Sequence, residues 1–207
     1  MNSLRKTNMQ PLTVTFFGIS GSGKGTQVTL LENYLKEHDA KRPVIRAEMG
    51  AMLREFMKGD SELAKRTKAI VDAGGLLPSF IPVFILARLL EPSFKGDEHL
   101  LIDGTPRRPT QAEMVDENVR FYGRTNLQAV SFKLSPEEAK KRLAGRGAGR
   151  LDDTDEAMRI RFAWYEEHVV PSIDKLRELG WKVHEIDADP DIETIHKNIL
   201  SVLGLAG

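Results

Sequence analysis

A run of glycines beside a lysine is the first stretch of this chain whose residue types could do chemistry. Gly18, Gly21, Gly23 and Gly25 surround Lys24. Glycine allows positive φ angles, so the amide N–H groups of such a loop can approach an anion, and the lysine adds a mobile positive charge. A nucleotide polyphosphate suits this arrangement. We expect its phosphates on the amides of this loop, on the N-terminus of the helix that follows and on Lys24.

The loop departs at one position from the general phosphate-loop pattern G-x-x-x-x-G-K-[ST]. Gly25 stands where a serine or threonine hydroxyl usually binds Mg²⁺, and Thr26 comes one residue late. The rest of the pattern holds, because Lys24 directly follows the last glycine of Gly18-x-x-x-x-Gly23. An ordinary glycine-rich turn would not need a lysine at that position.

A carboxylate and a guanidinium form the second candidate site. The apolar run of residues 100–102 ends in Asp103, and Arg107 follows within Asp-Gly-Thr-Pro-Arg. An aspartate at the end of a buried strand is a weak signal alone, since any such strand can end in an acid. In a chain that also carries a phosphate loop, it predicts a carboxylate that holds Mg²⁺ through water. Arg107 is then within reach of a second phosphate.

Basic residues are concentrated over residues 140–150, which contain no acid. Arg142 and Arg146 are four residues apart and therefore share a helix face. Arg150 follows a short glycine-containing loop, and Arg161 falls in the next predicted helix. Phosphoryl transfer needs mainly positioning and charge neutralisation, and one arginine can contribute about 10³–10⁵ in rate. These four arginines suit that chemistry; the alternative is a basic helix end that the helix dipole favours.

Short apolar segments alternate with longer helical patterns along the chain. Five segments are typical of buried strands: 12–17, 43–46, 99–103, 127–132 and 181–186. Helical patterns cover 27–37, 48–58, 61–73, 79–90, 109–121, a segment from 136, 153–179 with a kink at Pro171, and a last helix from 189–190. We predict an α/β fold, a five-stranded parallel sheet flanked by helices on both faces. Ligands of such sheets bind at the carboxyl ends of the strands, where Lys24, Arg46 and Asp103 fall.

The composition limits the classes of function. The 207 residues carry 30 basic and 30 acidic side chains, so no net charge directs the chain to nucleic acid or anionic lipid. The chain has no cysteine, and its five histidines lack a metal-ligand spacing. Residues 1–11 are predicted to form a disordered polar tail and no signal peptide, and no apolar run has membrane length. We expect a single domain over 12–207, monomeric and cytoplasmic, without nucleic-acid or membrane partners.

The chain resembles the nucleoside monophosphate kinases, and most closely the short-lid adenylate kinases, from residue 14 to about 203. The motifs that carry the resemblance are the loop of residues 18–27, Asp103-Gly-x-Pro-Arg107 with Gln111, and Gly149-Arg150-x-Asp-Asp before Arg161. The resemblance implies a P-loop kinase fold with a helical monophosphate-binding region at about 47–77 and a short ATP lid at about 146–154. It also implies reversible, Mg²⁺-dependent transfer of the ATP γ-phosphoryl group to AMP, giving two ADP.

The resemblance further implies a role for each matching residue. Residues 21–26 would hold the ATP phosphates, with Arg142 near the ATP base and Arg146 on its phosphates. The acceptor would be bound by Arg54 and Arg107 at its phosphate and by Gln111 at its base, with the backbone of Gly75, Leu76 and Leu77 lining the base pocket and Gly104 also contacting the acceptor. Arg150 and Arg161 would bridge donor and acceptor. The expected catalytic residues are therefore Lys24, Arg107, Arg146, Arg150 and Arg161, and the expected metal carboxylate is Asp103.

Three departures from the family pattern concern the acceptor side or the loop. Met49-Gly50-Ala51 stands where the family usually has Ser/Thr-Gly-Asp, Thr105 replaces the usual Phe, and Ser20 replaces the usual Pro. Because a hydroxyl and a carboxylate are missing near the acceptor base, a UMP or CMP kinase is the nearest alternative.

Two further alternatives are disfavoured by the sequence. A nucleotide-binding regulator with weak turnover would lack a catalytic charge, and none of the five expected catalytic residues is missing. A GTPase-like switch would carry an Asn-Lys-x-Asp guanine motif, which the chain does not contain.

Overall fold

The computed structural model describes residues 9–144 and 155–206 and has a five-stranded sheet. The strands are β1 (Thr13–Phe17), β2 (Val44–Glu48), β3 (His99–Asp103), β4 (Leu127–Lys133) and β5 (Lys182–Asp187). Their order across the sheet is β2-β3-β1-β4-β5, and every neighbouring pair is parallel. The predicted α/β fold with five parallel strands is confirmed.

Helices connect the strands and cover both faces of the sheet. They are α1 (Lys24–His38), α2 (Met49–Phe56), α3 (Glu62–Asp72), α4 (Phe80–Leu90), α5 (Pro109–Phe121), α6 (Pro136–Ala144), α7 (Asp155–Trp164), α8 (Val170–Glu178) and α9 (Ile192–Val202). Serine side chains stabilise two of the helix starts. Ser61 Oγ accepts a hydrogen bond from the Ala64 N–H at 3.1 Å, and Ser135 Oγ accepts one from the Glu138 N–H at 3.1 Å.

Two apolar clusters hold the sheet from opposite sides. Alternate residues of a strand point to opposite faces, and accordingly Leu100 and Ile102 of β3 belong to one cluster and Leu101 to the other. The cluster of Leu101 includes α1 and α9, and the other cluster includes α4, α5 and α8. Because both faces are removed from water, the sheet is a fixed platform for whatever its carboxyl edge carries.

The helix predicted over 153–179 is divided in the structure. A π-helical turn, Tyr165–Val169, separates α7 from α8 and directly precedes the segment that contains Pro171. Proline has no N–H to donate, so the regular helical hydrogen bonds cannot continue through it.

The last helix also begins later than the sequence pattern predicts. Asp191 is its N-cap, and the Asp191 carboxylate accepts a hydrogen bond from the Thr194 N–H at 2.9 Å. The predicted start at 189–190 is therefore wrong by two residues. Asp189 and Asp191 are both good capping residues, and the pattern alone did not distinguish them.

Two sequence predictions concern the N-terminal tail and membranes. Of the predicted tail, residues 1–8 lie outside the described residues, and the Met9 carbonyl accepts a hydrogen bond from Arg42 Nη1 at 2.8 Å. Among the residues with described positions, no helix is long and apolar enough to span a membrane.

Candidate active site

A cavity at the carboxyl edge of the sheet brings most of the predicted phosphate-binding residues together. It has a volume of about 440 Å³. The predicted site residues that line it are Gly21, Ser22, Gly23, Lys24, Gly25, Arg54, Asp103, Gly104, Arg107 and Arg161. Three motifs that are far apart in the sequence therefore meet in one place. We refer to this cavity as the cleft.

The glycine loop reaches the cleft directly from β1. Gly21 and Gly23 have φ angles of +91° and +78°, which side chains rarely allow. A Cβ atom at Gly21 would lie 2.8 Å from the Ala139 carbonyl oxygen of α6, so glycine lets the loop pass close to that helix. Gly23 is also the N-cap of α1 and offers no side-chain cap. The first N–H groups of α1 are thus available to an anion in the cleft.

Lys24 and Asp103 meet at the floor of the cleft. Asp103 ends β3, and its register partner on the neighbouring strand is Phe16 of β1, just before the glycine loop. The Lys24 ammonium group forms an ion pair with the Asp103 carboxylate, and these side chains are 22% and 10% exposed. The parallel pairing of β1 and β3 therefore explains why the phosphate loop and the carboxylate share one site.

Arg107 is held by contacts on several sides. Its backbone N–H donates to Gln111 Oε1 at 2.8 Å, and its Nε donates to the Gly104 carbonyl at 2.9 Å. The guanidinium carbon lies 5.8 Å from the ring centroid of Trp164. Although the side chain opens onto the cleft, desolvation by the surrounding protein lowers the pKa of Arg107, and the Asp103 charge opposes that shift. Arginine nevertheless stays charged at neutral pH.

Two charged side chains at the end of β2 line the cleft without a predicted role. Arg46 Nη1 donates to Thr29 Oγ1 at 2.9 Å and lies 3.3 Å from Glu32 Oε2, which joins β2 to α1. Glu48 lies 3.5 Å from Arg46 and 3.9 Å from Arg54. The sequence already placed Arg46 at this edge of the sheet, and the same signal, a position at the carboxyl end of a parallel strand, could have found Glu48.

Arg142, predicted to lie near the ATP base, is not among the residues that line the cleft. Its Nη1 donates to the Ala188 carbonyl at 2.7 Å, and its Nη2 donates to the Asp189 carbonyl at 3.0 Å. Its Nε donates to Glu138 Oε1 at 3.3 Å. Arg142 therefore ties α6 to the loop between β5 and α9.

The residues predicted to surround the acceptor base also lie outside the cleft lining. Gln111 is 2% exposed, and its observed contact is the hydrogen bond to the Arg107 N–H. Leu77 is 8% exposed and packs in the apolar cluster of α4 and α5. Gly75, Leu76 and Thr26 are likewise absent from the described cleft lining. The roles predicted for these residues stay predictions.

Part of the predicted arginine group cannot be placed. Arg146, Arg150 and the predicted lid over 146–154 lie outside the described residues. Of the four arginines expected to converge, Arg161 on α7 lines the cleft, and Arg142 holds the loop after β5.

A second groove of about 570 Å³ opens between the start of α6, the π turn and the end of β5. Its acidic lining residues are Glu138, Glu166, Asp187 and Asp189. None of the predicted phosphate-binding residues lines it. Although this groove is larger, its negative charge disfavours a polyphosphate, and we identify the smaller cleft as the candidate active site.

With this geometry in place, comparisons with known proteins identify the family. The sequence model described as Adenylate kinase matches residues 16–180, well over half of the chain. The chain belongs to the adenylate kinase family. It is similar to an adenylate kinase of Phocaeicola vulgatus, with 34% identity over 176 residues, 84% of this chain and 88% of the relative. It is also similar to an adenylate kinase of Stenotrophomonas maltophilia, with 31% identity over 196 residues, 93% of this chain and 99% of the relative.

Membership of this family fixes the class of chemistry. Adenylate kinases are phosphotransferases that use ATP as a substrate and AMP as the acceptor. The resemblance inferred from the motifs and the prediction of a nucleoside monophosphate kinase are therefore confirmed.

Proposed function

We propose that the cleft of this adenylate kinase family member transfers the γ-phosphoryl group of ATP to AMP, with the roles given below. The observation that carries the proposal is the meeting of Lys24, Asp103 and three arginines in one cleft of about 440 Å³. These three are Arg54, Arg107 and Arg161, and Arg46 lines the cleft as a fourth arginine. Phosphoryl transfer requires charge neutralisation around both nucleotides more than covalent chemistry, and this set of side chains supplies it.

The donor side of the cleft is built by the glycine loop. The amides of residues 21–26 and the N-terminus of α1 would hold the ATP phosphates. Lys24 would exchange part of its contact with Asp103 for a phosphate oxygen. Arg142, which the family resemblance places near the ATP base, would be held there by its hydrogen bonds to the carbonyls of Ala188 and Asp189.

The acceptor side is built by arginines from different elements. Arg54 on α2 and Arg107 after β3 would grip the phosphate of AMP, and bidentate contacts from guanidinium groups suit such a dianion. Arg161 would neutralise the group in transfer, together with Arg146 and Arg150 according to the sequence. Gly104 would allow the acceptor close to Arg107, and Gln111 and residues 75–77 would surround the base.

Mg²⁺ fits the donor set of the cleft. Asp103 offers a carboxylate, and carboxylate, phosphate and water oxygens are the ligands Mg²⁺ prefers. Within the described ranges, no group of three or more His, Cys, Asp and Glu residues could hold a metal. Phosphates and water would therefore supply most ligands, with Asp103 bound through water. The ion would neutralise phosphate charge during transfer.

Two parts of the chain would close over the nucleotides. The helical region at about 47–77 would cover the acceptor, and the lid at about 146–154 would cover ATP. Closure would exclude water, which otherwise competes with AMP as the acceptor.

A monomeric state and a cytoplasmic location remain predictions from the sequence.

The main alternative concerns the acceptor base. Met49 takes the place of the family's hydroxyl residue and is 2% exposed, packed in the apolar cluster of α4 and α5. An altered environment for the acceptor base would favour UMP or CMP over AMP. The UMP/CMP kinase alternative is therefore tested by comparing the activity with each acceptor directly.

The test is diphosphate formation by purified protein with Mg·ATP and each of AMP, UMP, CMP and GMP. We expect the highest kcat/KM with AMP. Lys24→Met is the control. Its kcat should fall by about 10²–10³, because the ammonium charge that stabilises the transferred phosphoryl group is lost. Turnover confined to UMP or CMP would contradict the AMP assignment, and no turnover with any acceptor would favour a nucleotide-binding regulator.

A further inference from the structure

Trp164, the last residue of α7, contacts Arg107. In the proposed function, Arg107 binds the phosphate of the acceptor AMP. The Arg107 guanidinium carbon lies 5.8 Å from the Trp164 ring centroid. A guanidinium within about 6 Å of an indole face is attracted by the negative charge of that face. The Trp164 side chain is half-buried and packs against the apolar cluster of α4 and α5, so the ring itself is held in place.

The contact joins two elements that reach the cleft separately. Arg107 follows β3, whereas Trp164 is on α7, three residues after Arg161. Residues three apart on a helix share a face, and Arg161 lines the same cleft as Arg107. Trp164 also contacts the His168 ring in an edge-to-face arrangement, with ring centroids 5.2 Å apart. The indole ring therefore bridges Arg107 and the helix that carries Arg161.

The other contacts of Arg107 hold its backbone and one edge of its guanidinium. Its backbone N–H is held by Gln111 and its Nε by the Gly104 carbonyl. Over the described parts of the chain, the two Nη groups of Arg107 donate no hydrogen bond to protein. The contact with Trp164 is the second one on the guanidinium, and together with the Nε hydrogen bond it sets the orientation of the guanidinium plane. That plane decides whether two N–H groups can reach one phosphate together.

We propose that Trp164 is a positioning residue that orients the Arg107 guanidinium for the phosphate of the acceptor monophosphate. The inference rests on the proposed function, because it takes Arg107 as an acceptor-phosphate ligand. Trp164 acts through Arg107 and touches no substrate. Loss of the ring should therefore weaken acceptor binding and leave donor binding and the transfer step nearly unchanged.

The first test measures KM for AMP and for ATP in the parent and in Trp164→Leu and Trp164→Phe. Trp164→Leu should raise the KM for AMP about two- to fivefold, which corresponds to ~0.5–1 kcal/mol for a cation–π contact. Trp164→Phe keeps an aromatic face and should recover part of that loss. KM for ATP and kcat should change by less than about 1.5-fold. Equal rises in both KM values, or no rise for AMP, would overturn the inference.

A matched control removes a different ring from the same helix. Phe162 is two residues from Trp164, and residues two apart do not share a helix face. Phe162→Leu should therefore leave the KM for AMP unchanged. If Phe162→Leu raised it as much as Trp164→Leu does, the effect would belong to α7 in general and the inference would be wrong.

A second measurement asks whether Trp164 acts through Arg107. Calorimetric binding of AMP is compared in the parent, Trp164→Leu, Arg107→Met and the double variant, after urea unfolding confirms that each is folded. Trp164→Leu should weaken binding in the parent and have no further effect in Arg107→Met. Additive losses would overturn the inference.

These outcomes are separable from failure of the proposed function. A parent protein that does not phosphorylate AMP contradicts the proposed function. A parent that phosphorylates AMP, with Trp164→Leu equal to it in KM for AMP, contradicts the positioning role alone.

Discussion

Lys24 and Asp103 are 79 residues apart in the sequence and form an ion pair at the floor of the cleft. Each belongs to a separate nucleotide motif, and the parallel pairing of β1 with β3 brings them together. A phosphate that binds Lys24 competes with Asp103 for the same ammonium group, and the two anions repel each other. Mg²⁺ between carboxylate and phosphate would remove that repulsion, which makes the pair a sensitive place to test the proposed chemistry.

Asp103→Asn should separate nucleotide binding from catalysis. Without the carboxylate charge, ATP in the absence of Mg²⁺ should bind more tightly than to the parent, as measured by calorimetry with EDTA. With Mg²⁺, kcat should fall about 10- to 100-fold, because a group that helps to hold the metal is lost. If Asp103→Asn keeps the kcat of the parent, Asp103 does not serve the metal.

Two roles of Gln111 can be distinguished by experiment: it holds the Arg107 backbone, or its amide contacts the acceptor base. Gln111→Ala removes the acceptor of the Arg107 N–H, and one such hydrogen bond contributes ~1 kcal/mol, or about fivefold in the KM for AMP. Gln111→Glu keeps an acceptor oxygen but changes the amide that a base would contact.

The comparison of these two variants decides the role of Gln111. If Gln111 mainly holds Arg107, Gln111→Glu should keep a KM for AMP near that of the parent. If the KM for AMP rises equally in both variants, the amide group itself contacts the acceptor. Steady-state kinetics with AMP as the varied substrate measures this.

Arg142 should matter to ATP and to stability. Arg142→Ala removes hydrogen bonds from a charged group to two carbonyls, and the side chain is 28% exposed, so we expect a loss of ~1–2 kcal/mol in the free energy of unfolding. The KM for ATP should rise more than the KM for AMP. Arg142→Lys, which cannot span both carbonyls, should behave more like alanine than like the parent. A rise confined to the KM for AMP would contradict the proposed position of the donor base.

His99 should make stability depend on pH. The fully buried His99 ring accepts the Leu12 N–H at Nδ1, 3.2 Å away, so its Nε2 carries the proton and donates to Asp39 at 3.2 Å. Burial lowers the pKa of His99, the Asp39 carboxylate opposes that shift, and the charges of Arg42 and Arg124 add to the lowering. The unfolded chain therefore binds more protons than the native one below about pH 6.5, and stability should fall as the pH drops through that range.

The comparison of the parent with His99→Gln isolates this effect. Urea unfolding is measured from pH 7.5 to 5.5 in both proteins. The free energy of unfolding should fall more steeply with decreasing pH in the parent than in His99→Gln. The difference in slope can reach ~1.4 kcal/mol per pH unit, which is the maximum for the uptake of one proton. His184 and His196 also have lowered pKa values because of burial, and they remain in both proteins. Equal pH dependence in the two proteins would rule out His99 as the source.

Local sequence patterns predicted the features that depend on neighbouring residues. The loop around Lys24 and the strand that ends at Asp103 follow from residue types a few positions apart. The sheet edge could be predicted because apolar strands alternated with helices. Arg54 entered through a family resemblance and lines the cleft.

Contacts between elements could not be predicted in the same way. The placement of Trp164 over Arg107 depends on how α7 packs against the segment after β3, and no spacing in the sequence encodes that angle. Glu48 beside Arg46 and Arg54 likewise depends on the end of β2, which the structure extends two residues beyond the predicted strand. The cap of α9 at Asp191 was missed because two aspartates compete for one role.

The π turn at Tyr165–Val169 acts as a one-residue insertion in an otherwise continuous helix. An α-helix rotates by about 100° and advances by about 1.5 Å for each residue. Deleting one residue from this turn would remove the insertion, and everything before the deletion would rotate by about that angle relative to α8. Arg161 and Trp164 would then face away from Arg107. The extra residue of the π turn thus determines which side of α7 faces Arg107. The number of residues in this turn is therefore limited by the need to keep Arg161, one helical turn away, in the cleft.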